Sequence, residues 1–192
     1  MGLGGAASFS VKITRAAPLA PSNLDIVRVS DSQQTLNWAR NSTYTSVVIQ
    51  RTTGTGSSWS GWQQVGVAAG NAFTFTDKTT VPNRYYVYRV AGVGPSGQSP
   101  WSGQAGVYTT PAVPTGIKAA RSSSNIVVSA TSVPSYASGF DVRDGSTVIA
   151  SNVSLPYTHV NPNPAVAHTY TVRAIRVSPD ALASAWSSAS NT

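Results

Sequence analysis

Apolar and polar residues alternate along much of the chain. In "RYYVYRVAG", residues 84 to 92, Tyr86, Tyr88 and Val90 share one parity and Arg89 takes the other, while in "AFTFTD", residues 72 to 77, Phe73 and Phe75 share a face. A period of two buries one face and leaves the other wet, the pattern of antiparallel strands. Seven such runs, separated by Gly, Pro, Asn, Asp and Ser, are predicted in the first half, at 22–30, 34–40, 46–52, 62–68, 72–77, 84–92 and 102–110.

The same order of runs returns in the second half: "TGIKAAR", "NIVVSAT", "SGFDVRD", "STVIAS", "PYTHV", "HTYTVRAIR" and "SAWSSAS". Aligned on the sixth run, Tyr88 meets Tyr170, Val90 meets Val172, Gly92 meets Ala174 and, after a longer turn, Trp101 meets Trp186. A repeat of about 80 to 90 residues is too long for a solenoid unit and suits a self-contained β-sandwich. The chain is therefore expected to be all-β, with an N-terminal arm at 1–17 and two sandwiches at 18–110 and 111–192. Pro111 and Pro114 in "YTTPAVPTG" predict a short, semi-rigid joint and an elongated two-bead rod. In the arm, "ASFSVKIT" alternates like a strand. A frayed tail and a strand that pairs with another subunit's exposed edge both remain open; in the second case Phe9, Val11, Lys12, Ile13 and Arg15 are the docking candidates.

Composition supports this reading. All six acidic residues are Asp, Glu is absent, and Ser, Thr, Val and Gly abound, which argues against amphipathic helices. There is no cysteine, so disulfides, thiolate metal sites and cysteine nucleophiles are excluded. The net charge of +7 is spread thinly: Lys12 and Arg15 in the arm, six bases against three Asp over 18–110, and five against three over 111–192. Nucleic-acid binders gather bases on one face among stacking aromatics, so this distribution argues against such a partner. No run has the length of a signal peptide's apolar region or of a membrane span, and the expectation is a chain made and kept in the cytoplasm, with no membrane partner.

The segments "APSNL", "LNW", "FTFTD" and Tyr-x-Tyr-x-Val followed by "GPSGQSPWS" resemble fibronectin type III domains, an immunoglobulin-like sandwich family, over about residues 18 to 192. The resemblance implies that Trp38 is the core tryptophan of the second strand and Tyr86 the corner tyrosine that bonds back to the backbone. The second unit departs at both places, with Ala130 and His168, and is expected to be the less stable one unless Tyr136 or Phe140 fills the gap. The wording "VYTTPAVPTGIKAARSSSNIVVS", "AHTYTVRAIR" and "SAWSSASNT" is similar to tandem type III modules in minor tail proteins of phages that infect actinobacteria. That implies a non-enzymatic virion protein, assembled in the host cytoplasm in many copies with other tail or capsid proteins through the arm. Capsid decoration, and a carbohydrate-binding or adhesion module of a bacterial surface protein that touches cell-wall glycan, are the alternatives.

No catalytic, metal or cofactor site is expected. His159 and His168 lack a Cys, Glu or paired His at metal-ligand spacing, and Asp141 and Asp144 in "DVRDGS" read as a strand entering an Asp-Gly turn. The serines lack a nucleophile elbow, and no Gly-rich segment has a strand-to-helix setting. His168 is expected to be a hydrogen-bonded structural residue. Trp59 and Trp62 flank a Gly/Ser turn and are the candidates for a surface contact, Trp59 first. Arg89 and Arg173 take the outward parity beside the strands of Trp101 and Trp186, which predicts a stacked Arg–Trp pair in each unit.

Overall fold

The computed structural model describes residues 15–55, 58–177 and 181–190. Phe9, Val11, Lys12 and Ile13 lie outside them, and Arg15 is exposed. The first unit contains β1 (Ser22–Arg28), β2 (Gln34–Ala39), β3 (Ser46–Thr55), β4 (Ser58–Trp59), β5 (Gln63–Ala69), β6 (Thr74–Asp77), β7 (Tyr85–Gly94), β8 (Gly97–Gln98) and β9 (Ala105–Tyr108). The second contains β10 (Thr115–Ser122), β11 (Asn125–Ser132), β12 (Gly139–Asp144), β13 (Thr147–Val153), β14 (Tyr157–His159), β15 (Tyr170–Arg176) and β16 (Leu182–Ala183). In the first unit β1-β2-β6 forms one sheet and β4-β3-β7-β8, with β5 on β3 and β9 on β7, the other. In the second, β10-β11-β14 faces β13-β12-β15-β16.

Each unit has its own core, built by the parity of its strands. Leu36 and Trp38 of β2 meet Val47 and Ile49 of β3 and Tyr86, Tyr88 and Val90 of β7. Ile126 and Val128 of β11 meet Phe140 and Val142 of β12 and Tyr170 and Val172 of β15. Burying each such side chain contributes about 1.5–3 kcal/mol, which sets the register of every inner strand. Pairing makes the two units superimposable in register: Val47 stands opposite Gly92 as Phe140 stands opposite Ala174. Gly92 is required because a Cβ there would lie 2.2 Å from the Tyr44 ring. Phe140 thus fills the second core from the place of a valine, whereas Tyr136 is 73% exposed and fills nothing.

Three expectations change. The last run of each unit is not a strand over its tryptophan: residues 99–104 and 184–190 lie outside the ladders, with β9 starting only at Ala105 and β16 ending at Ala183. Serine spacing explains this, as described below. Trp59 lies on a two-residue strand, paired with Gly54, instead of on a loop. Phe73 precedes β6 and is 66% exposed, while Phe75 packs on the core; the turn closed by Ala72 N–H donating to Ala69 O carries Phe73 outward before the pleat begins. Pro111 and Pro114 of the joint are both buried.

Candidate functional site

The outward side chains of β7 and β15 hold the arginines that meet the repeated tryptophans. Arg89 lies over Trp101 at 4.3 Å and over Trp62 at 4.1 Å, so its guanidinium is enclosed by two rings, and Gln50 Oε1 accepts from its Nε and Nη2 at 3.0 and 2.7 Å. In the second unit Trp186 is flanked by Arg143 at 4.2 Å and Arg173 at 4.7 Å, and Arg173 also pairs with Asp141. The pattern is inverted: two rings around one cation, then two cations around one ring. Trp62 therefore has a packing role, and Arg143 was missed because it lies on a different strand from Arg173.

Serines hold these tryptophans in place. Ser99 and Ser102 donate their amides to Gly92 O and Val90 O and accept from Gly92 N and Val90 N through Oγ. Ser184, Ser187 and Ser190 do the same to Ala174, Val172 and Tyr170. Every third residue meets every second residue of β7 or β15, so the segment cannot run as a strand. Side-chain oxygens supply the acceptors that strand carbonyls would give, which matters because unpaired buried amides are costly. The signal was present as "SPWS" and "SAWSSAS", read at a period of two instead of three.

At one end of each sandwich lies a polar cluster. In the first unit Arg51 pairs with Tyr88 across β3 and β7, and Gln34 with Asp77 across β2 and β6. Asp77 accepts from Arg51 Nη1 at 2.6 Å, from Tyr88 Oη at 2.9 Å and from the amide and hydroxyl of Thr79 at 2.9 and 2.7 Å. Burial, the largest influence, pushes the Asp77 carboxyl up, but Thr79, Arg51 and Tyr88 together outweigh it and hold it below the ordinary range. Tyr86, at the corner, accepts a hydrogen bond from Val81 N at 3.0 Å and stacks under Arg51 at 4.6 Å.

In the same register positions the second unit holds Asp144 for Arg51, His159 for Asp77 and Tyr170 for Tyr88, with His168 at the place of Tyr86. Asp144 Oδ2 lies 2.5 Å from His168 Nδ1, Asn163 O lies 2.9 Å from His168 Nε2, and His159 Nδ1 lies 2.8 Å from Tyr170 Oη. Both His168 nitrogens face acceptors, so the ring is held as an imidazolium, and the Asp144 bond first, with the Asn163 carbonyl, raises its pKa. Burial first, then the nearby Asp144 charge, pushes the Tyr170 phenol up to about 12. Gly145, at φ +54°, makes the tight turn that ends β12 at Asp144. Asp141 and Asp144 serve separate partners, Arg173 and His168, so they form no acid–base pair. The three residues Asp144, His159 and His168, which share no sequence spacing, stand together.

The units touch at the joint. Asn83 accepts from Arg176 Nη1 at 2.7 Å and donates to Tyr136 O at 2.8 Å, and Arg176 lies 3.8 Å over the Tyr108 ring. Tyr108 lies against Tyr85 with the rings tilted by 39° and their centroids 4.6 Å apart, and Tyr85 meets Trp59 edge-on at 5.9 Å. Trp59 is 47% exposed at the end of this aromatic row.

Solved structures with similar folds are fibronectin type III domains. A two-domain segment of chicken tenascin matches with a TM-score of 0.57 at 13% identity, covering 86% of this chain and 95% of that one. The first three type III domains of chicken CNTN1 match at a TM-score of 0.47 and 16% identity, over 90% of this chain and 66% of that one. The fifth such domain of Drosophila Lar matches at 0.43 and 14%, over 50% and 100%. No family model and no curated protein matches the chain. The fold is thus all-β and of the fibronectin type III kind, written in tandem.

Proposed function

We propose that the chain is a non-enzymatic structural protein of a phage virion, a minor tail or tail-associated component in which two sandwiches act as a spacer or surface appendage. The observation that carries the structural half of this reading is where the polar chemistry goes. The Arg–Trp stacks, the serine ladders and the Asp77 cluster all find their partners within the fold itself. Such modules host many functions, so the fold alone does not choose among them. The viral half rests on the similarity of "VYTTPAVPTGIKAARSSSNIVVS" and "SAWSSASNT" to tail-protein modules. In this reading the partners are other virion proteins, docked through residues 1–17 in many copies, so that multivalency supplies the avidity each small contact lacks. Deleting residues 1–17 is expected to leave both sandwiches folded and to abolish incorporation into particles; normal incorporation of the truncated chain contradicts the docking role.

One observation favours a second reading, contact with cell-wall glycan. Trp59 and Trp62 form two walls of a cleft of about 240 Å³ shared with Thr52, Ser60, Val87 and Gln104. An aromatic wall beside polar groups suits a sugar ring. Glycan pull-down that vanishes in Trp59→Ala supports this reading, and unchanged retention removes it.

A further inference from the structure

We propose that Asp144, His159 and His168 form a binding site for a divalent transition-metal ion, Zn²⁺, at one end of the second sandwich. This goes beyond the virion reading and does not depend on it. One ligand atom from each residue lies within 4.8 Å of the others. Two imidazoles and a carboxylate are a donor set that Zn²⁺ takes, with bonds of about 2.0–2.2 Å and ligand atoms about 3.4 Å apart in a tetrahedron. To reach that spacing the Asp144–His168 pair, at 2.5 Å, opens by about 1 Å and the widest pair closes by up to about 1.4 Å.

The surroundings fit a ligand role. A metal-binding histidine ordinarily donates its second ring N–H to a carbonyl or carboxylate, which fixes its tautomer. His168 Nε2 stands 2.9 Å from Asn163 O, which leaves Nδ1 for the ion, and His159 has Tyr170 Oη on its Nδ1. The ion takes the place of the proton that His168 Nδ1 shares with Asp144. A cavity of about 460 Å³ has His168 and Tyr170 in its wall and so reaches the cluster from the His168 side. Arg121 lines the same cavity and opposes a cation, so affinity is expected to be moderate.

The first unit fills these positions with Arg51, Asp77, Tyr86 and Tyr88, a cluster that carries its own cation. The second substitutes an acid for the arginine and imidazoles for the acid and the tyrosine, so that three lone-pair donors meet where a guanidinium sat. The consequence is mechanical. Asp144 ends β12 in one sheet and His159 ends β14 in the other, so a bound ion staples the two sheets of the unit that lacks the core tryptophan.

The test is calorimetric titration of the untagged full chain with Zn²⁺, repeated for His159→Gln and Asp144→Asn. One ion per chain is expected, with affinity lowered at least about tenfold in each variant. A rise of about 10–20 °C in the melting temperature of the second unit is expected at a hundredfold excess over Kd. No heat with the unaltered chain, or unaltered affinity in both variants, overturns the proposal. Should a variant lose its far-UV spectrum, Co²⁺ bound to the unaltered chain decides. Intense visible bands of a low-coordinate, imidazole-bearing ion support the site, and the pale spectrum of the hydrated ion refutes it.

Discussion

Individual residues show how few of the polar groups are idle. Asp77 is buried and ionised because four donors converge on it, and removing a partner from such a cluster leaves an uncompensated charge or hydroxyl. Asp77→Ala is expected to cost the first unit about 3–5 kcal/mol in urea denaturation. The pH dependence has a definite sign. Since the folded pKa of Asp77 lies below the ordinary value of an aspartate, the stability it contributes is fully present above that ordinary value and is lost as the pH falls through the folded pKa. Denaturation midpoints measured from pH 6 to pH 2 should therefore drop less steeply in Asp77→Asn than in the unaltered chain. Trp38 is a different case: its ring is core, yet its Nε1 has no partner among the described residues. Trp38→Phe, which keeps much of the bulk and removes the orphan donor, should cost far less than Trp38→Ala, for which about 3–5 kcal/mol is expected.

At the level of elements, strand parity was legible and the final segment of each unit was not. Tyr86, Tyr88 and Val90 share the core-facing parity as expected, but Val87 and Ala91 on the other parity are buried as well, so from Tyr85 to Gly92 only Tyr85 and Arg89 stay partly open. The segments carrying Trp101 and Trp186 also look like strands, but serines at every third position pair with β7 and β15 through Oγ, a pattern that a search for period two passes over. Ser187→Ala leaves the Val172 amide without its side-chain acceptor and is expected to cost about 1–3 kcal/mol, whereas Ser188→Ala, which touches no amide of β15, should be within about 0.5 kcal/mol of neutral. The Asp144, His159 and His168 cluster was hidden for another reason. Its members come from the end of β12, the end of β14 and the approach to β15, and only the antiparallel registers bring them together. Arg–Trp stacking was legible as a pairing rule, but not as a stoichiometry, because Trp62 and Arg143 come from outside the sixth run.

At the scale of the whole molecule, Phe140 occupies a valine's place in the core of the second unit, so Phe140→Ala should cost about 3–5 kcal/mol and fall on that unit alone. The joint is held by Asn83, which reaches both Arg176 and Tyr136, and by the stack of Arg176 on Tyr108. Asn83→Ala is expected to broaden the distribution of interdomain orientations seen in small-angle scattering while leaving each unit's unfolding transition in place. A spacer needs such a joint, since a freely hinged pair of beads transmits neither reach nor direction. The reading of the chain as a virion component is tested most directly by immunogold electron microscopy and mass spectrometry of gradient-purified phage particles. The account predicts the chain in the particle, in many copies and concentrated on the tail. Its absence from particles, with the chain found instead in the soluble fraction or on the bacterial surface, contradicts it.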